Sequence, residues 1–206
     1  LIKMKIDDFA DEVSTNSPAP GGGSVSALSG ALSAALISMV SNLSFGKKDY
    51  LENNISFEKI GIESQSIKDE FISLIDRDTD AFNKIMTAFR LPKNTDNNRN
   101  NREEEIQLAT KSAIDIPCRM MELALKSLRL SNIIAKIGNK NSLSDTGVAL
   151  EMSISSFNGA YMNVLINLKD ITDDKYRKKI IKETDSLVSK INKDIKIGRK
   201  YISNAL

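Results

Sequence analysis

The chain has 206 residues, enough for one domain with a sizeable core. Its 29 basic and 27 acidic side chains leave a formal charge of +2, which argues against a dedicated binder of nucleic acid or of an anionic membrane. Histidine is absent and Cys118 is the one cysteine, which excludes Ser-His-Asp and Cys-His catalysis, His-liganded zinc, a Cys/His metal cluster and any internal disulfide. A single thiol also fits a reducing, cytoplasmic setting.

Helical periodicity runs nearly throughout, with no repeat and no strand pattern, and predicts one all-α domain over residues 1–206. A bundle of six to nine helices is expected. The opening Leu1-Ile2-Lys3-Met4 carries no signal-peptide pattern and leads into a short amphipathic helix at about Ile6–Val13. Next comes Ser17-Pro18-Ala19-Pro20-Gly21-Gly22-Gly23-Ser24. Proline disfavours helix just before itself, and glycine leaves backbone N–H groups uncovered. Ser24 is expected to cap the helix that follows, which ends near Ser44 and Gly46. Such an N-terminus suits an anion or a ligand carbonyl, or it is simply a tight turn between packed helices.

Residues 13–46 carry no charge, so a membrane span has to be considered. Seven serines from Ser24 to Ser44 argue instead for close helix–helix contact, within one subunit or between two. A long helix is expected from about Asp49 to Leu91, with a possible break at Gly61 and a stop at Pro92. Residues 93–101 read as an Asn-rich loop. A helix from about Arg102 to Ile137, kinked at Pro117, a turn at 138–142, and a helix capped by Ser144 or Asp145 and reaching Leu168 come next. The last helix, about Asp174–Ser203, is capped by Thr172 or Asp173; its seam of Ile180, Leu187, Ile191, Ile195 and Ile202 is flanked by lysines, as on a solvated amphipathic helix.

Without histidine, proton transfer would have to run through Asp, Glu, Lys, Tyr or water. Asp78 stands out for this role. The apolar stripe Phe71, Ile75, Phe82, Ile85 and Phe89 passes through position 78, which puts Asp78 on the buried face and Asp76 and Asp80 outside. Burial raises a carboxyl pKa and suits it to move protons near neutrality, or a neighbouring helix merely satisfies it. Lys93 and Arg102 bracket the polar loop and could hold an anion. Asn163 and Asn167, one turn apart in an apolar run, could serve a heteroaromatic ligand or bridge helices.

Taken in order, Ser17–Ser24, Gly46-Lys47-Lys48, Asp78–Phe82, Leu91-Pro92-Lys93, Gly138-Asn139, Ser144-Asp145 and Gly159–Asp173 resemble the cyclodeaminase/cyclohydrolase family. That family forms the C-terminal half of formiminotransferase-cyclodeaminase and also occurs as stand-alone bacterial enzymes. The resemblance implies an all-helical fold that dimerises or assembles further and acts on one-carbon tetrahydrofolates, with the folate as substrate and no cofactor or metal. It places the catalytic aspartate on Asp78 and the glycine loop on Gly21, Gly22 and Gly23, and it suggests Ser24, Lys93, Ser144, Asp145, Asn163 and Asn167 for the folate pocket. Either formimidoyltetrahydrofolate cyclodeaminase or methenyltetrahydrofolate cyclohydrolase is implied, with a slight lean to deamination. The alternative of another class is a helical scaffold that binds folate without chemistry.

Overall fold

A computed structural model describes all 206 residues. Six α-helices form: α1 (Ile6–Val13), α2 (Gly22–Ser44), α3 (Asn54–Phe89), α4 (Asp96–Ile137), α5 (Leu143–Leu168) and α6 (Asp174–Ala205). Short 3-10 turns precede α3 (Lys48–Asn53) and α5 (Lys140–Ser142). Helices α2 to α5 run alternately up and down as a four-helix bundle, and α6 packs on the α4–α5 edge. One core cluster of 35 residues joins them.

The serines of α2 explain how its neighbours come so close. Ser29 donates to the Met152 carbonyl at 2.9 Å, Ser33 to the Ala149 carbonyl at 2.8 Å, and Ser44 accepts from the Asn139 N–H at 2.8 Å. These pairs set α2 antiparallel to α5. Ser41 donates to the Phe57 carbonyl, which sets it antiparallel to α3. Helix α2 is long and apolar enough to cross a membrane by composition, but 67% of its most apolar window is buried in the bundle. It is a core helix.

Several boundaries differ from the sequence reading. Helix α2 starts at Gly22, with Gly21 at its N-cap and no side-chain cap, so Ser24 is not the cap. Helix α3 runs without a break through Gly61. Helix α4 begins at Asp96 rather than Arg102, because Thr95 accepts from the Asn98 N–H and turns part of the expected loop into the first helical turns. Pro117 lies inside α4 without ending it. Helix α5 has Ser142 at its N-cap, so neither Ser144 nor Asp145 caps it. Asp173 caps α6 as expected, accepting from the Tyr176 N–H at 3.0 Å.

Candidate active site

Helices α2, α3, α4 and α5 enclose a cavity of about 130 Å³ at one end of the bundle. Gly21, Gly22 and Gly23 form one wall, Asp78 and Phe82 of α3 another, and Ala113 of α4 with Asn163 and Asn167 of α5 the rest. The glycine loop, the aspartate and the two asparagines thus converge, although 145 positions separate Gly22 from Asn167 in the sequence.

Asp78 is half-buried at the cavity wall rather than in the core. Ser24 is fully buried behind it and donates to Asp78 Oδ2 at 3.1 Å. The first intrahelical bond of α2 runs from the Val25 N–H to the Gly21 carbonyl, so the N–H groups of residues 22–24 have no helical acceptor. Asp78 meets this first turn from across the bundle and stands where a capping side chain would. Gly23 makes the approach possible, because a Cβ there would fall on the Asp78 carboxyl group.

Burial pushes the Asp78 pKa above the ordinary value of 3.8, and hydrogen bonds from Ser24 pull it part of the way back. The two influences suit a carboxyl that gives and takes protons. Asp80 is exposed, as expected. Asp76 is not outward-facing: it is half-buried, with the Leu1 amino group 2.8 Å from its carboxylate.

Both asparagines reach the cavity from α5. Asn163 Nδ2 donates to the Gly159 carbonyl at 2.8 Å, which leaves its Oδ1 to other partners. The amide also sits near the Gly22 backbone, where a Cβ would stand 3.8 Å from Nδ2.

Other expected site residues lie elsewhere. Ser144 is exposed and Asp145 half-buried at the N-terminal end of α5. At about 1.5 Å per residue, Ser144 is about 28 Å along that helix from Asn163. Lys93 is exposed and does not line the cavity. Arg102 does not join it around an anion; its guanidinium donates to the Phe89 carbonyl at 3.2 Å and lies 5.4 Å from the Phe89 ring. Ser24 is within the site but behind Asp78, sealed from solvent.

Sequence reasoning missed Ala113. A small apolar residue in a long helix gives no local signal, and only the packing of α4 brings it to the cavity. Cys118 plays no part here. It lines a separate groove against α6, and burial together with Asp115 pushes its thiol up to about 12, which keeps it protonated and poorly nucleophilic.

A carboxyl-centred cavity on an up-and-down helical bundle defines the class of protein. The chain belongs to the formiminotransferase-cyclodeaminase family, whose profile matches residues 5–186. It is 36% identical over 184 residues to a methenyltetrahydrofolate cyclohydrolase of Methylorubrum extorquens, covering 89% of this chain and 88% of that one. It is 33% identical over 202 residues to the formimidoyltransferase-cyclodeaminase of Gallus gallus, covering 98% of this chain but 37% of the relative. The chain thus spans about a third of such bifunctional relatives. The crystal structure of formiminotetrahydrofolate cyclodeaminase from Thermotoga maritima matches the fold with a TM-score of 0.89 at 29% identity, over 98% of this chain and 97% of that one. The family resemblance carried by the motifs is borne out.

Proposed function

We propose that this protein is a folate one-carbon enzyme of the cyclodeaminase type, which converts 5-formiminotetrahydrofolate to 5,10-methenyltetrahydrofolate and ammonia. The observation that carries the reading is the position of Asp78: a half-buried carboxyl with a raised pKa, facing a cavity walled by bare glycine backbone and two amides.

The chemistry needs one group that moves protons. N10 of the substrate attacks the carbon of the protonated amidine, a C–N bond forms as the C=N π pair moves onto the amidine nitrogen to leave it as NH2, and Asp78 takes the N10 proton. The resulting aminal then breaks its bond to the departing nitrogen as the Asp78 carboxyl returns a proton to it. Ammonia leaves, and the methenyl bridge remains. General acid–base catalysis of this kind contributes about a hundredfold to ten-thousandfold. The cavity of about 130 Å³ is smaller than the roughly 300–1,000 Å³ that encloses a drug-sized ligand, so it fits the reacting end of a folate rather than the whole molecule. The asparagine amides supply donors and acceptors for that end. Lys93, Ser144 and Asp145 stand outside this single-chain cavity and are assigned no contact with the reacting atoms.

The second reading is hydrolysis of 5,10-methenyl- to 10-formyltetrahydrofolate, with water in place of the amine on the same carbon. Similarity along nearly the full length of the Methylorubrum cyclohydrolase favours it. Both reactions are followed by the near-ultraviolet absorbance of the methenyl compound. Growth from the formimino substrate supports deamination, decay from the methenyl substrate supports hydrolysis, and silence with both contradicts an enzyme and supports a binding scaffold.

The protein is further proposed to act as a homodimer. Val25, Leu32, Met39 and Leu43 are between 37% and 46% exposed along one side of the charge-free α2. An isologous contact with a second copy would cover this stripe with its own equivalent.

A further inference from the structure

Ser24 has a sequence reading as a helix cap and an implied place in the substrate pocket, and its position in the fold fits neither. It is fully buried, lies inside the first turn of α2, and touches no cavity surface. Its hydroxyl has three neighbours, all on α3: Asp78 Oδ2 at 3.1 Å, the Ile75 carbonyl at 3.2 Å and Thr79 Oγ1 at 3.3 Å. A serine hydroxyl carries one proton, so Asp78 Oδ2 and the Ile75 carbonyl compete for it, while the Thr79 hydroxyl can donate to Ser24 Oγ as well as accept from it.

We propose that Ser24 is a positioning residue that fixes Asp78 Oδ2 as a hydrogen-bond acceptor and leaves Oδ1 as the oxygen that exchanges protons with the substrate. The proposal rests on Asp78 being the acid–base group. Its physical basis is the difference between the two protonation states. An ionised carboxylate accepts the Ser24 proton strongly, because charge-assisted hydrogen bonds are about twice as strong as neutral ones. Once Oδ1 is protonated, Oδ2 is a weaker acceptor, and the Ser24 proton has the Ile75 carbonyl within reach instead. Ser24 therefore favours the anion and offsets part of the burial that disfavours it. Thr79 Oγ1 holds the hydroxyl from the third side.

The Ser24 backbone N–H also bonds Asp78 and is kept in side-chain variants, whereas no charged side chain of another helix does so. Helix α2 has no charged residue. Helix α4 presents Ala113 to the cavity, while its Lys111 and Asp115 engage Asp173 and Tyr176. Helix α5 presents the uncharged Asn163 and Asn167. The remaining charged neighbours, Asp76, Arg77 and Asp80, lie on the same helix as Asp78.

The test is the titration of the Asp78 side-chain carboxyl carbon by NMR in the unliganded protein, for wild type and Ser24→Ala, alongside the pH profile of kcat/KM. Loss of the hydroxyl should raise the Asp78 pKa by about one pH unit, a tenfold change in the ionisation equilibrium. The ionisation limb of the kcat/KM profile should move the same way, and kcat should fall. Ser24→Cys keeps a weak donor and should give a smaller upward shift, which serves as the readout if Ser24→Ala loses helical structure. An unchanged Asp78 titration in both variants would overturn the proposal. The NMR titration needs no turnover, so a shifted carboxyl in a protein inactive on both folates would refute the proposed function while sustaining the Ser24–Asp78 coupling.

Discussion

Asp78 and Gly23 form a matched pair: one places a carboxyl against the first turn of α2, and the other leaves room for it. The raised pKa of Asp78 has a consequence for stability. Its folded form holds a proton to higher pH than the unfolded chain does, so ionisation disfavours folding. The contribution is constant below the ordinary value of 3.8 and turns against the fold as pH rises through the elevated value. Asp78→Asn should therefore unfold at neutral pH at the same temperature as wild type or higher, with a smaller loss of stability between acid and neutral pH. Thermal melts across that range check both points. Gly23→Ala should do the opposite, displacing the carboxyl at a cost of about 1–3 kcal/mol and abolishing turnover. Denaturant unfolding and activity on one sample measure the two together.

Helix α2 shows why the same substitution has opposite signs at different places. A Cβ at Gly30 would run into the Phe71 ring, which is fully buried in the core. Gly30→Ala should destabilise by about 1–3 kcal/mol. Gly61 on the facing helix meets nothing closer than Ser41 Oγ at 3.6 Å, an ordinary contact. Gly61→Ala should stabilise by about 0.5–1 kcal/mol through helix propensity alone. Urea unfolding of the two variants tests the pair. This contrast also marks how far the elements could be read from sequence. The apolar spacing of α3 and α6 located both helices, since a repeat at three and four residues is a direct record of one buried face. The break that Gly61 made possible did not form, because packing of α3 on α2 outweighs the propensity cost of one glycine. The start of α4 lay hidden in an Asn-rich run that reads as loop until Thr95 is seen to cap it.

At the scale of the whole molecule, the up-and-down order of α2 to α5 brings the N-terminal turn of α2 to the C-terminal end of α5, and so gathers Gly22, Asp78 and Asn163 from distant parts of the chain. Periodicity alone singled out Asp78, and the two prolines and three glycines marked the loop. Bundle geometry decided the rest: Ser144 and Asp145 fell at the far end of α5 and Lys93 outside the cavity, distances that no local pattern encodes. The same geometry leaves the α2 stripe without a partner. Leu32→Lys should convert a dimer to a single 22.7 kDa chain in sedimentation equilibrium, with helicity retained; a wild-type protein that sediments as one chain would refute the interface. The account stands most of all on Asp78 moving protons for a folate carbon. Turnover by Asp78→Asn on the formimino and methenyl substrates measures this directly: a fall of at least about a hundredfold is predicted, whereas a folded variant that keeps more than about a tenth of the wild-type rate would contradict it.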